Sequence, residues 1–238
     1  MDAESDAVLL GGFCTPEQTV LGARFSAGVF LPYVWISLDA DVDIPSGTAR
    51  AKDDASGIGD MTLIPAMMAW ESGFWQFNTI LSVYAPTGDY QKDRLANPGL
   101  NYWTFDPIIG ASYNNDRMGL NAALHGGINL NTENKDTDYQ SGSMLHFDGS
   151  VQQLLPVGPG FLGLGAQAFY MEQITGESGS GAVFGNFKGR TLGIGPVLTY
   201  VLPREEDSFV VELRWLPEMD VKNRLEGDYF WLKFVYQF

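Results

Sequence analysis

From Tyr229 to the C-terminus the chain alternates without a break. Phe230, Leu232, Phe234, Tyr236 and Phe238 take every second position, and Tyr229, Trp231, Lys233, Val235 and Gln237 lie between them. Neighbouring strand residues point to opposite faces. One face is therefore wholly apolar and ends on a terminal phenylalanine, while the other carries the charge. A half-buried strand of a soluble sandwich would rarely show five large apolar side chains running to its last residue. A strand with lipid on one side and a polar interior on the other needs this pattern.

The same period recurs upstream. In 209–216, Phe209, Val211, Leu213 and Trp215 oppose Glu212 and Arg214. In 191–202, Leu192, Ile194, Leu198 and Tyr200 share a face; in 161–174, Leu162, Leu164 and Tyr170 oppose Gln167. In 144–155, Leu145, Phe147 and Val151 oppose His146, Asp148 and Gln152, and in 119–131, Leu120, Leu124 and Ile128 oppose Asn121, His125 and Asn129. In 102–113, Trp103, Phe105 and Ile109 oppose Asp106, and in 74–85, Trp75, Phe77 and Leu81 oppose Gln76 and Asn78. In 60–70, Met61, Leu63, Pro65 and Met67 oppose Asp60 and Thr62. Segment 20–44 is long, and its apolar phase passes from odd (Leu21, Phe25, Val29, Leu31) to even (Val34, Ile36, Leu38, Val42). A phase change predicts an inserted residue, here a bulge near Pro32. Asp39, Asp41 and Asp43 would then face inward or stand above the bilayer. A short strand over Ala7–Phe13 brings the strands to eleven.

The connections alternate too. Long polar ones span Pro45–Gly57, Pro86–Gly99, Asn131–Ser141, Gly176–Gly189 and Pro217–Gly227. Short ones fall at Thr15–Glu17, Glu71–Gly73, Asn114–Asp116, Pro156–Gly160 and Pro203–Asp207. Outer-membrane barrels pair short periplasmic turns with long extracellular loops. The expected fold is one all-β domain over residues 1–238, an antiparallel transmembrane β-barrel, with its C-terminus on the periplasmic side of a Gram-negative outer membrane. Bacterial single-chain barrels use even strand numbers, so a twelve-stranded form with one strand lying outside this sequence is expected.

Composition sharpens this reading. Charged residues make up 18% of the 238, and mean hydropathy is −0.06, so apolar content is spread thinly rather than gathered in blocks. No apolar run approaches the roughly 18 residues of a transmembrane helix. The net charge of −15 offers no basic stripe for phosphates, which disfavours nucleic-acid partners. The start, Met1 to Asp6, is acidic and lacks the basic and apolar parts of a secretory signal, so the natural start is expected upstream. Cys14 is the single cysteine, which excludes an intrachain disulfide; with two histidines in all, a zinc site is not expected.

Candidate chemistry lies on the inward faces. Asp60, Asp106, Asp148, Glu212, Arg214 and Lys233 are the charged residues, and Gln76, Asn78, Asn121, Gln152 and Gln167 extend the polar lining. They would either shape permeation or pair with one another and fill the barrel. His125 and His146 fall on inward faces of adjacent strands. A phospholipase would need Ser and His together on the lipid face, so satisfied luminal histidines are the expectation, with no enzyme activity and no cofactor. Acids in the long loops (Asp53, Asp54, Asp89, Asp93, Glu133, Asp136, Asp138, Glu177, Glu218 and Asp220) read as a solvated surface rather than as cation sites.

Several motifs stand in a definite order. They include Gly57-Ile58-Gly59-Asp60, Tyr84-Ala85-Pro86-Thr87-Gly88-Asp89-Tyr90 and Ala96-Asn97-Pro98-Gly99-Leu100-Asn101-Tyr102-Trp103. Thr137-Asp138-Tyr139-Gln140-Ser141-Gly142, Gly185-Asn186-Phe187-Lys188-Gly189-Arg190 and Gly227-Asp228-Tyr229-Phe230-Trp231 follow. Together they resemble the outer-membrane channel family named for the meta-pathway of phenol degradation, over nearly the whole chain. That resemblance implies a twelve-stranded barrel for uptake of small apolar or aromatic solutes. The final strand resembles the signal read by the barrel assembly machinery. Membrane lipid and lipopolysaccharide are the other expected partners, and a closed barrel that presents its loops is the alternative function.

Overall fold

A computed structural model describes residues 2–44, 47–183 and 185–238, the side chains of residues 40–50 excepted. The strands are β1 (Asp2–Cys14), β2 (Thr19–Val20), β3 (Ala23–Ile44), β4 (Gly47–Ile58), β5 (Met61–Ser72), β6 (Trp75–Ala85) and β7 (Thr104–Asn115). They continue as β8 (Leu120–Asn131), β9 (Met144–Val157), β10 (Gly160–Gln173), β11 (Arg190–Pro203), β12 (Ser208–Pro217) and β13 (Asp228–Gln237). All join one antiparallel sheet in the order β1-β3-β5-β6-β7-β8-β9-β10-β11-β12-β13, with β2 and β4 paired to β3 alone. Among the described residues there is no helix. The alternation of apolar and polar positions is thus expressed as strands throughout. β13 pairs with β12 from Ser208↔Gln237 to Pro217↔Asp228, as its pattern predicts.

Two faces follow from the register. On one stand Leu31, Ile109, Leu124, Leu164, Leu198, Leu213 and Leu232, all well exposed. Aromatic residues bound this band at both ends. Trp75 packs on Tyr113 and Phe209 on Tyr236 near the short turns, while Trp103 stacks on Phe105 and Trp215 on Phe230 near the long loops. An apolar belt between two aromatic girdles is the lipid-facing surface of an outer-membrane barrel. The other face is concave. Phe169 of β10 and Tyr229 of β13 meet with ring centroids 5.7 Å apart, although strands three apart in a flat sheet would be separated by roughly 14 Å. Eleven strands with antiparallel neighbours leave β1 and β13 running in the same direction. Among the described residues they do not pair with each other, and both are exposed along their length.

Several expectations are corrected. β1 begins at Asp2, not Ala7. Most of Pro45–Gly57 is not a loop but β4, which extends β3 into a long hairpin from Tyr33↔Ile58 to Ile44↔Gly47; Pro45 itself lies outside the described residues. β3 carries no bulge at Pro32, where it pairs regularly with Leu9 of β1. The extra residue is on the partner: Tyr33 faces Ile58 but Phe30 faces Thr62, so Gly59 and Asp60 together oppose Pro32. Pro32 has no N–H to offer that edge, which is where a ladder most readily accepts an extra residue. A second shift, at Pro65 and Ala66 of β5, has the same cause. It turns Met67 to the inner face, opposite Ile80, whereas Pro65 stays exposed. On β3, Leu31, Tyr33 and Trp35 continue the outer face, and Val34, Ile36 and Leu38 are apolar residues of the inner one. Asp39 pairs with Asp2 and belongs to the outer face; the side chains of Asp41 and Asp43 lie outside the described residues.

The remaining long connections link into a belt. Asn101 donates to Asn134 at 3.1 Å and to Asp136 at 2.9 Å, and Tyr139 donates to Glu177 at 2.7 Å. Asn223 donates to the carbonyl of Lys188 at 2.9 Å, and Arg190 pairs with Asp220 at 3.0 Å. Each loop is tied to the next along the chain. Most of the loop acids stay exposed even where they are hydrogen-bonded; Asp53 and Glu177 are half-buried and Glu218 is buried.

Candidate functional site

The inner face of β6 to β10 carries a belt of polar side chains. Cross-strand pairing sets Ser82 beside Asp106, His125 beside Asp148, and Asn121 beside Gln152. Two contacts reach across an intervening strand. Asn78 of β6 meets Nε2 of His125 on β8 at 3.3 Å, over Gly110 of β7. Asp106 of β7 accepts from Nε2 of His146 on β9 at 2.8 Å, over Gly127 of β8. An ionised carboxylate can only accept, which makes Nε2 of His146 the donor of this bond when Asp106 is charged. A β-carbon at Gly127 would stand 2.6 Å from that nitrogen, and one at Gly110 would collide with the His125 ring. Glycine at these two positions gives each imidazole room to lie across a strand. Gln167 completes the belt, donating to Asp148 at 2.5 Å.

A second cluster lies on β11 to β13. Glu212 accepts from Arg214 at 2.6 Å and from Lys233 at 3.3 Å, with Thr199 at 3.4 Å on its other oxygen. Asp106, Gln167 and Glu212 are 3%, 4% and 7% exposed, so burial without partners would be costly, and the partners offset it; Asn78, 7% exposed, bonds through its amide nitrogen alone and its Oδ1 is buried without a partner. Apolar rows lie between the polar ones. Met67, Ile80 and Ile108 are cross-strand neighbours on the inner face, directly beside the Asn78–His125 row. Phe13 and Phe30 meet edge-on at 5.3 Å on β1 and β3.

Nine of the thirteen expected lining residues thus fall into two groups on one face. Asn78, Asp106, His125, His146, Asp148 and Gln167 form the belt, and Glu212, Arg214 and Lys233 the second cluster. Asn121 and Gln152 form a separate pair toward the short turns. Gln76 donates to Glu71 at 3.3 Å near that same end. Asp60 stands at the loop end instead, where its carboxylate accepts from Gly88 N at 2.9 Å and Leu100 N at 2.8 Å. Among the described residues, no hydroxyl bonds either histidine, so no Ser–His pair is assembled.

Three carboxylates read as surface acids instead hold loop structure. Glu218 is buried and accepts from Thr191 at 2.9 Å, Gly227 N at 2.8 Å and Arg224 at 3.2 Å. Asp53 accepts from Leu95 N and Ala96 N. Glu177 holds Tyr139, whose phenol is pushed well above the usual tyrosine range, first by burial and then by the hydrogen bond to that carboxylate. Asp138 is held below the usual carboxylate range by the hydroxyl and N–H of Ser180.

The family described as "Putative MetA-pathway of phenol degradation" matches residues 1–234. The chain belongs to this family. No curated protein matches it. Among solved structures it is similar to the crystal structure of the COG4313 outer membrane channel from Pseudomonas putida F1. The TM-score is 0.74 at 18% identity, over 98% of this chain and 83% of that one. At that identity the likeness is one of fold, and it agrees with the girdles and the loop alternation described above.

Proposed function

We propose that this protein is a channel of the Gram-negative outer membrane that passes small apolar or aromatic compounds inward, without catalysis or cofactor. The observation that carries the reading is the composition of the inner face. A solute moving along it meets apolar rows (Met67, Ile80 and Ile108, with Phe13 and Phe30 further round) beside a belt of carboxylate, imidazole and amide groups. Apolar surface accommodates a ring or chain, and the belt keeps the path wetted. Family membership and the fold of a known channel support the same reading. The exposed apolar belt and girdles would contact lipid, the loop end would lie among lipopolysaccharide, and the β13 strand ending at Phe238 suits the barrel assembly machinery.

The test is flux. Purified full-length protein in planar bilayers and liposomes is expected to conduct ions and to pass aromatic solutes faster than polar ones of equal size. Failure to conduct and to pass any solute would sink the proposal. A second reading has one observation in its favour: every acid of the belt and of the second cluster is paired. A filled barrel that presents its loops would show that pairing and no flux.

A further inference from the structure

The connection between β6 and β7, residues 86–103, is folded onto the inner face of the wall. Asp53 on β4 and Asp60 at the β4–β5 junction both lie on that face. Oδ2 of Asp53 accepts from Leu95 N at 2.8 Å and Ala96 N at 2.9 Å. The two oxygens of Asp60 take Gly88 N at 2.9 Å and Leu100 N at 2.8 Å. Backbone contact adds Asp89 N to the carbonyl of Ile58 at 2.8 Å. Glycines permit the approach: a β-carbon at Gly57 would stand 3.1 Å from Asp89, and one at Gly59 would stand 3.3 Å from the Pro98 carbonyl. Ala96, at the far bend, is 1% exposed. The loop also has its own frame, since Arg94 bonds both Asp89 and Asn97 at 3.1 Å.

On the channel reading above, we propose that Asp53 and Asp60 are positioning residues that hold 86–101 as an inward lip, and that this lip sets the size of solute admitted. Each carboxylate binds two backbone N–H groups, so removing both frees the stretch that carries Lys92 and Arg94, between the anchors that remain at Asp89 and Asn101, while leaving the transmembrane ladder intact.

Trypsin provides a readout independent of transport, because Lys92 and Arg94 lie in the lip. In the folded Asp53→Ala/Asp60→Ala protein, nicking at those sites is expected to speed up at least about tenfold, the least that losing a charge-assisted hydrogen bond implies. Liposome-swelling assays with solutes of graded size should show a higher size limit for the same variant. A second variant, in which residues 90–97 are replaced by two glycines, should raise the limit without altering either carboxylate. Unchanged nicking would overturn the role of the two acids. Faster nicking with an unchanged size limit in both variants would overturn the lip as the constriction. If the wild-type protein passes nothing, the channel reading fails on its own; variants that then gain flux would support the lip, and variants that also pass nothing would refute it.

Discussion

Replacing Gly127 by alanine puts a methyl group 2.6 Å from Nε2 of His146 and 2.8 Å from Cγ1 of Ile108. The imidazole must move, and its 2.8 Å bond to Asp106 goes with it. Asp106 is 3% exposed and cannot turn to water instead. A hydrogen bond to a charged group contributes about 1.5–3 kcal/mol, so the variant should lose that much, a roughly tenfold to 150-fold shift in the unfolding equilibrium. The decisive comparison is the same substitution in a His146→Ala background. There only Cγ1 of Ile108, the end of a flexible side chain at 2.8 Å, remains in the way, and the gain from replacing a poor strand residue offsets part of that cost, so alanine should cost clearly less than in the wild type. Urea titrations of the four proteins in phospholipid vesicles, followed by tryptophan fluorescence, give the coupling directly. Equal costs for Gly127→Ala in both backgrounds would refute the reading that this glycine exists to seat His146.

Two further outcomes follow from the faces and the loops. Ile109 is 69% exposed on the lipid face, so Ile109→Arg should cost about 2–4 kcal/mol of folding free energy in vesicles; a cost near zero would reverse the assignment of faces. The Tyr139 phenol has a raised pKa in the folded protein, so its contact with Glu177 is complete below the ordinary tyrosine pKa of about 10 and is lost only as pH rises through the raised value. Tyrosinate absorbance of the wild type minus that of Tyr139→Phe should therefore show one phenol ionising late, and ionisation within the ordinary range would contradict the loop geometry.

Most of the transmembrane part was legible, because a wall between lipid and a polar interior writes its two faces into alternate residues. Both histidines stand where period two put them. Two kinds of feature were not legible. The first is register. The change of phase along 20–44 mimics a bulge in that strand, although Tyr33 and Trp35 continue the outer face of Leu31. The extra residue sits in the partner opposite Pro32, and a single strand cannot report its partner's insertions. Met67 was misplaced for the same reason, one residue beyond the shift at Pro65. The second is structure beyond the bilayer. β4 carries Lys52, Asp53, Asp54 and Ser56, and with no lipid to one side it shows no apolar alternation. Asp53 binds an amide 42 residues later in the chain, and no local pattern marks such a contact.

The two extra residues near Pro32 and Pro65 have a geometric consequence. Each advances β5 by one residue, about 3.3 Å, relative to a neighbouring strand, and so adds to the stagger of the sheet. In a barrel, stagger and strand tilt are linked through the shear. The seam between β3 and β5 thus contributes stagger that the regular pairings of β9 to β13 do not. The first of these extra residues lies at the foot of the tall β3–β4 hairpin. The added stagger therefore enters the wall where the sheet passes from the membrane into the mouth of the protein.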